Sequence, residues 1–220
     1  MKADPLSVMW RFNWLGVPRW SELSIGFSGY PLVDFHLRIV DRGEFSYMLI
    51  HEAVKAAVAS GCLVPAKPIA DWAGQPRVVL LCKQIRDAID AGRNDENEKE
   101  RQCWAKVEAV FSHFIEGGRI TEDLVKQLRP EKFEHWEFRC RKPKPSIRVF
   151  GRFAMPDVFV ATHAQPRALL GGMWSPEFEH QKLVCEDHWN ACSLHAPFSD
   201  APDFRYEAYI TENARRKLKI

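Results

Sequence analysis

The chain has 220 residues, a length that fits one large domain or one compact domain with a sizeable extension. Apolar residues make up 46% and charged residues 27%, close to the globular average, which excludes a disordered, collagen-like or coiled-coil chain. No uncharged run approaches the roughly eighteen apolar residues of a membrane span, and no apolar signal region follows the first residues. We therefore expect a cytoplasmic protein with no membrane partner.

The net charge is +2, but the positive charge is unevenly distributed along the chain. Residues 139–152 hold six basic residues and no acid, and residues 215–219 hold four more, so the rest of the chain is mildly acidic. Such a concentration favours an anionic partner, and nucleic-acid phosphate is the anion we expect. Basic side chains on a solvated sheet face that only aid solubility are the alternative. The six residues are Arg139, Arg141, Lys142, Lys144, Arg148 and Arg152.

The six cysteines form no C-x-x-C pair. An even count could indicate disulfides, but a chain of this length without a secretory signal favours reduced thiols in a cytoplasm. The cysteines are Cys62, Cys82, Cys103, Cys140, Cys185 and Cys192.

The first half of the chain predicts short strands followed by helices. Apolar stretches within 9–40 indicate strands separated by turns. The apolar stripe from Phe45 to Ser60 predicts a helix, and Gly61 follows where a C-terminal cap belongs. A second apolar stripe predicts a helix over Val78–Ala91.

A charged run over 93–101 predicts a solvated linker or the exposed first turns of a helix. Apolar residues at helical spacing from Cys103 to Phe114 predict the next helix. Thr121, followed by two acids, predicts the N-cap of a further short helix.

After Pro130 the apolar period changes from 3.6 to 2. Alternation over 134–140 and 147–153, followed by an apolar run over 158–162, predicts a three-stranded antiparallel meander. Ser175 followed by proline and glutamate predicts a last long helix that ends near Ser193. The pattern as a whole predicts an α+β protein in which helices pack on a small antiparallel sheet, with an additional mixed α/β N-terminal segment.

The meander carries the sequences W-E-F-R at 136–139 and R-V-F at 148–150, followed by an apolar strand that ends near His163. Over roughly residues 100–195 this resembles the RelE/HigB-type toxins of bacterial toxin–antitoxin systems and their phage-derived relatives. In that family two helices precede a small antiparallel sheet. The resemblance suggests three segments: a mixed N-terminal segment over 1–92, a toxin-like core over 93–198, and a tail with a basic end over 199–220.

The resemblance implies a ribosome-dependent messenger-RNA endoribonuclease without metal or cofactor, with RNA or the ribosome and an antitoxin protein as partners. Such cleavage needs cations on the scissile phosphate and groups that move protons at the 2′- and 5′-oxygens. By the same resemblance His163, Arg148 and Arg139 are the candidate catalytic residues. The candidate nucleic-acid-binding residues are Arg141, Lys142, Lys144, Arg152 and Arg167.

Two other functions are compatible with the sequence. The family's Lys-Lys after the histidine is reduced here to Ala-Gln-Pro-Arg over 164–167, and no Tyr stands near the strands, which favours a non-catalytic nucleic-acid- or protein-binding module. A C-x2-H-x3-C-x2-H stripe could instead supply zinc ligands. One straight helix spreads that stripe over about 15 Å, so we expect it to pack against the sheet. Its members are Cys185, His188, Cys192 and His195.

Overall fold

The computed structural model describes residues 42–67, 76–172, 174–194, 206–211 and 214–215; over 42–50 and 214–215 only the backbone is considered. These residues belong to one compact unit within Ile39–Ile220. The strands predicted within 9–40 lie outside the described residues.

The described elements alternate between helices and short strands. The helices are α1 Arg42–Ala59, α2 Lys83–Arg93, α3 Glu98–Ile115, α4 Pro176–Ala191 and the single turn α5 Tyr206–Tyr209. The strands are β1 Leu63–Pro65, β2 Val78–Cys82, β3 Ile120–Thr121, β4 Val125–Gln127, β5 Trp136–Cys140, β6 Ile147–Met155, β7 Val158–Pro166 and β8 Ala214–Arg215.

Six of these strands form one sheet in the order β1-β2-β7-β6-β5-β4. Its neighbours are antiparallel except for the parallel pair β2 and β7. The strands β3 and β8 pair separately. The chain is therefore an α+β protein, as the sequence predicts, and the predicted meander is confirmed as β5, β6 and β7. The strands β1 and β2 and the helix α2 lie within residues 63–93 yet share one hydrophobic core with that meander.

The predicted helix over Val78–Ala91 is wrong in its first part. Val78–Cys82 is strand β2, and α2 begins only at Lys83. All five residues of β2 are buried, since the strand lies inside the sheet between β1 and β7. A strand buried on both faces reads as a continuous apolar run, and periodicity alone cannot distinguish such a run from a buried helix.

The short helix predicted at Thr121 is also wrong. Thr121 ends β3, a turn follows, and β4 pairs with β5. The backbone amide of Arg139 donates to Leu124 O at 2.7 Å, so this segment is held by pairing with a strand that is distant in sequence. A local capping signal was overridden by that pairing.

The other helices agree with the sequence. The helix over Phe45–Ser60 is confirmed as α1, and the one over Cys103–Phe114 as part of α3. The charged run supplies the exposed first turn of α3. Ser175 caps α4 as predicted, because its Oγ accepts from the amide of Phe178 at 3.2 Å.

One face of the sheet carries an aromatic core against α3. Phe138 of β5 lies edge-on to Phe111 and Phe114, with ring centroids 5.6 and 5.3 Å apart. Gly151 of β6 belongs to this packing, because a Cβ there would lie 2.1 Å from Val160 O. Only glycine lets β6 and β7 approach so closely at the bulge.

The opposite face of the sheet packs against α4, and we call it the α4 face. Phe150 of β6 meets Phe178 of α4 edge-on at 5.6 Å, and Leu128 and Leu170 complete a second small core there. Farther along α4, Trp189 is fully buried. The covalent bond between Cys62 and Cys192 joins the end of α4 to the turn after α1. The expectation of reduced thiols is therefore wrong for these two cysteines.

Candidate functional site

The register of the sheet arranges polar side chains of the α4 face in rows across the strands. One row runs Lys126, Glu137, Phe150, His163 through β4, β5, β6 and β7. Because side chains alternate along a strand, the next row on the same face joins Arg139 and Arg148 as direct partners. The structure thus brings together the two predicted arginines and adds two charged residues, Glu137 and Lys126, that sequence reasoning did not single out.

Glu137 lies between the two arginines, and we call these three residues the Glu137 cluster. The side chain of Glu137 is only 2% exposed. Arg139 Nε donates to Glu137 Oε1 at 2.6 Å, and Arg148 Nε lies 3.4 Å from Oε2. A buried carboxylate needs such partners, since an isolated buried charge is costly. One negative charge shared by two guanidiniums nevertheless leaves the cluster with a net positive charge.

Further charged groups surround the cluster. Burial lowers the pKa of Arg148, and nearby Arg139, Arg167 and Arg141 lower it further, against the opposing effect of Glu137. The pKa of Lys126 is lowered by burial and by Arg139. Cations therefore outnumber carboxylates here. The cations are Lys126, Arg139, Arg141, Arg148 and Arg167, and the carboxylates are Glu122, Asp123 and Glu137.

Access to this region differs among the arginines. The Arg148 side chain is 10% exposed and that of Arg139 is 19% exposed, so Arg148 lies deeper. Arg141 is half exposed and pairs with Asp123 at 2.8 Å. Lys142 and Lys144 are exposed in the loop between β5 and β6. Access from solvent is therefore greatest at Arg141 and the loop lysines and smaller at Arg139.

Arg167 extends the basic region beyond the end of β7. Its backbone amide donates to Ser146 O at 2.7 Å, which ties it to the start of β6. Its Nη1 donates to Gly171 O at 2.6 Å. These two bonds fix the loop that leads into α4 beside the Glu137 cluster. Arg167 therefore belongs to the same basic region as Arg139 and Arg148.

His163 lies on the same face but beneath α4. It is 6% exposed and stacks on Phe150 with ring centroids 5.0 Å apart. Its Nδ1 lies 3.0 Å from Thr162 Oγ1, and its Nε2 lies 3.1 Å from Gln181 Oε1 on α4. Burial lowers the pKa of His163 to about 4, and neighbouring His188 contributes to the shift. The imidazole is therefore neutral near pH 7, and both ring nitrogens are engaged inside the protein.

Arg152 is also covered by α4. It is 7% exposed, its Nη2 donates to Phe133 O at 2.7 Å, and its guanidinium lies 5.3 Å from the Trp189 ring. Arg152 lies on the same face as Arg148, but its guanidinium lies against the protein. Arg152 and His163 are thus separated from the accessible basic residues by the helix.

A second buried histidine lies near the same helix. His135 Nε2 approaches Glu186 Oε1 at 3.3 Å but makes no hydrogen bond. A charged pair at this distance could raise the pKa, yet burial dominates and, together with Arg152 and Lys182, lowers the pKa of His135 to about 3. Burial outweighs the Glu186 carboxylate, because the His135 side chain is only 5% exposed.

Two cysteines of the helical stripe considered as a zinc site are not available as free metal ligands. Cys192 is bonded to Cys62, and Cys185 is buried, which raises its pKa to about 11. His195 lies outside the described residues. Among the residues that the structure describes, no three His, Cys, Asp or Glu side chains are grouped so as to hold a metal ion.

Comparisons with known proteins add no relatives. No protein-family model, no curated protein and no solved structure matches this chain. Within the described ranges, no helix is both long and apolar enough to cross a membrane.

Proposed function

We propose that this protein binds RNA through its phosphate groups, at the basic region around the Glu137 cluster. The observation that carries the proposal is the buried carboxylate of Glu137 shared by Arg139 and Arg148, with further cations around it. A partly buried group of charges with a positive surplus is stabilised by an external anion. Arginine binds phosphate oxygens in bidentate geometry, so a nucleic-acid backbone suits this surface.

The three residues have different roles in this proposal. Arg148 neutralises Glu137 from within the sheet, and Glu137 holds the guanidinium of Arg139 in place. Arg139 then contacts phosphate, together with Arg141, Lys142, Lys144 and Arg167. The resemblance to RelE/HigB-type toxins supports RNA as the polymer, because α3 precedes the meander and the W-E-F-R and R-V-F sequences lie on β5 and β6. Of the two helices expected before the sheet, only α3 lies within the resembling stretch, since the helix predicted at Thr121 is absent.

The test is binding of a single-stranded RNA by the purified protein over a range of salt concentrations. Changing Arg139→Gln removes one phosphate contact, so we expect about a tenfold weaker affinity and a smaller salt dependence, with the slope reduced by about 0.7. Arg101→Gln is the matched control, since Arg101 lies on α3 and pairs with Glu98. Equal affinities for the wild type and both variants contradict the proposal.

A second candidate is the endoribonuclease that the resemblance implies. One observation favours it: His163 of β7 lies on the same face as Arg148 of β6. His163 pairs with Phe150, which lies two residues after Arg148 on β6. Cleavage then requires α4 to move away from His163, because Gln181 and Thr162 occupy its nitrogens in the packed structure. The ribosome and an antitoxin protein are the partners of this candidate.

Cleavage assays on translated messenger RNA separate the two candidates. The endoribonuclease predicts cleavage products and slower bacterial growth on expression, both lost in His163→Gln and Arg148→Gln. The binding module predicts RNA affinity without products, and an affinity that His163→Gln leaves unchanged. Both candidates place the protein in the cytoplasm, where disulfides are uncommon. The bond between Cys62 and Cys192 therefore needs its own explanation.

A further inference from the structure

The disulfide between Cys62 and Cys192 lies in the wall of a surface cavity. The cavity has a volume of about 290 Å³, and its lining includes both cysteines together with Lys83, Arg86 and His188. The two Cα atoms are 5.8 Å apart, within the usual range for a disulfide. A small solute entering the cavity therefore meets a disulfide next to basic side chains.

The two halves of the disulfide differ in exposure. Cys192 is only 6% exposed, whereas Cys62 is partly exposed in the turn after α1. A thiolate from solution therefore reaches the sulfur of Cys62 more easily than that of Cys192. Behind them lies the thiol of Cys82, with its Sγ 3.9 Å from Cys192 Sγ.

The charge of the cavity favours an anionic visitor. Lys83 and Arg86 both belong to the first turns of α2, and Lys83 pairs with Asp87 on the same helix. Cys82, the N-cap of α2, makes no side-chain capping bond, so the first amides of α2 add the positive end of the helix dipole. The nearby carboxylate of Asp87 offsets part of this charge and leaves Arg86 and the helix end as the surplus.

We propose that this cavity is a thiol–disulfide exchange site for an anionic low-molecular-weight thiol. The thiolate of the small molecule attacks Cys62 Sγ and forms a mixed disulfide there. The bond from Cys62 to Cys192 breaks, its electron pair leaves on Cys192 Sγ, and that sulfur takes a proton. A second small thiolate then attacks the small-molecule sulfur of the mixed disulfide. The two small thiols leave joined as a disulfide, and Cys62 Sγ takes the electron pair and a proton and becomes a thiol.

The thiol of Cys82 does not compete with the small thiol for the disulfide. An attack by Cys82 on Cys192 would move the disulfide inside the protein without any external thiol. Burial raises the pKa of Cys82 to about 12, and nearby Cys185 adds to the shift, so the attacking thiolate is scarce near neutral pH. The internal route is therefore slow, and the exposed side of the disulfide is where exchange occurs.

The exchange site is coupled to the helix that covers His163. Cys192 is the C-cap of α4, and the disulfide fixes this end of the helix to the turn after α1. Reduction removes that covalent attachment and leaves α4 held by its packing on the sheet. The expected result is faster amide hydrogen exchange in the last turns of α4 in the reduced protein than in the oxidised one.

Peptide mapping of the full, folded chain first confirms the bond between Cys62 and Cys192. The protein is then treated with reduced glutathione and, separately, with the cationic thiol cysteamine. Trapping and peptide mapping are expected to find the mixed disulfide on Cys62. Glutathione is expected to react several-fold faster, relative to cysteamine, with the wild type than with the Lys83→Gln, Arg86→Gln double variant. Gln84→Ala, in the same turn, is the control that keeps the ratio.

Four outcomes overturn the proposal. The first is failure of the bond to form in the folded protein under oxidised glutathione. The second is modification of Cys192 or Cys82 in place of Cys62. The third is a glutathione-to-cysteamine ratio that is the same in the wild type and the charge variant. A Cys82→Ser variant that still gives the mixed disulfide at Cys62 supports the external route, and loss of exchange in that variant contradicts it.

Discussion

Two ends of the α4 face carry similar residues in different surroundings. At one end, Arg139 and Arg148 share the single carboxylate of Glu137, and Arg141 is half exposed. At the other end, α4 covers the face, and Arg152 lies against Trp189 while His163 bonds Gln181. The strands are the same, and the cations come from one fourteen-residue stretch. The difference lies in what packs above them.

This difference shows that a basic stretch in a sequence is not yet a binding surface. A guanidinium that donates to backbone carbonyls and stacks on an indole contributes to stability, whereas one that is partly exposed can bind an external anion. The covered end is expected to affect stability most, and the Glu137 end is expected to affect binding most.

The largest effect is expected from Trp189→Ala at the covered end. Trp189 is fully buried and faces Arg152, so its loss leaves a cavity and an unstacked guanidinium. We expect the free energy of unfolding to fall by about 3 to 5 kcal/mol, measured by urea denaturation. Leu183→Ala on the same helix is the control, because Leu183 is 59% exposed and its loss should change little. Similar losses in both variants contradict the assignment.

At the other end, Glu137→Gln separates stability from binding. The change removes the carboxylate that pairs Arg139 and Arg148, so two guanidiniums lose their buried counter-charge. We expect the free energy of unfolding to fall by about 3 kcal/mol, because a broken buried ion pair leaves charge uncompensated. RNA affinity should not fall, because the amide oxygen of glutamine can still accept from Arg139 and RNA phosphate then supplies the missing negative charge. A loss of affinity in a variant that remains folded argues against phosphate binding here.

Acid should weaken the covered end more than the Glu137 end. His163 has a pKa of about 4 in the folded protein, below its ordinary value of 6.5, so the unfolded chain takes up the proton first. This contribution to stability is complete above about pH 6.5 and is lost as the pH falls toward about 4. Between about pH 7 and pH 5, we expect the free energy of unfolding to fall by about 2 kcal/mol more in the wild type than in His163→Gln. Identical pH dependence in the two proteins contradicts the burial of this histidine.

The smallest effect on stability is expected in the exposed loop between β5 and β6. Replacing Lys142 and Lys144 by Gln removes two exposed charges, so stability should change by less than about 0.5 kcal/mol. RNA affinity should fall several-fold, and the salt dependence of binding should become weaker, with the slope reduced by about 1.4. The paired control is Lys55→Gln on α1, where the lysine pairs with Glu52. Equal salt slopes for the two variants place the RNA elsewhere.

The sequence predicts most of the fold where local patterns are decisive. The helices α1, α3 and α4 and the meander follow from apolar period and from Ser175 as a cap. The errors fall at β2 and β4, where pairing with a distant strand decides the structure. Val78–Cys82 has an apolar run that suits a buried strand and a helix equally well.

For the candidate site, the alternation of side chains along a strand is enough to put Arg148 and Arg152 on one face. It does not show that α4 covers Arg152 and His163, since that depends on contacts between elements far apart in the chain. Glu137 stood within the W-E-F-R sequence, two residues before Arg139, so the same alternation could have paired it with the arginines. The sequence does not single out Lys126, because it predicts a helix after Thr121 where the structure has strand β4.

The bond between Cys62 and Cys192 closes a covalent ring, because the two residues are 130 positions apart. The ring contains β1, β2, α2, α3, the meander and α4. In the loop-entropy description, closing a ring of this size lowers the conformational entropy of the unfolded chain and so stabilises the folded state by about 5 kcal/mol. A single proteolytic cut anywhere inside the ring leaves one covalent molecule, which separates into two fragments only when the disulfide is reduced.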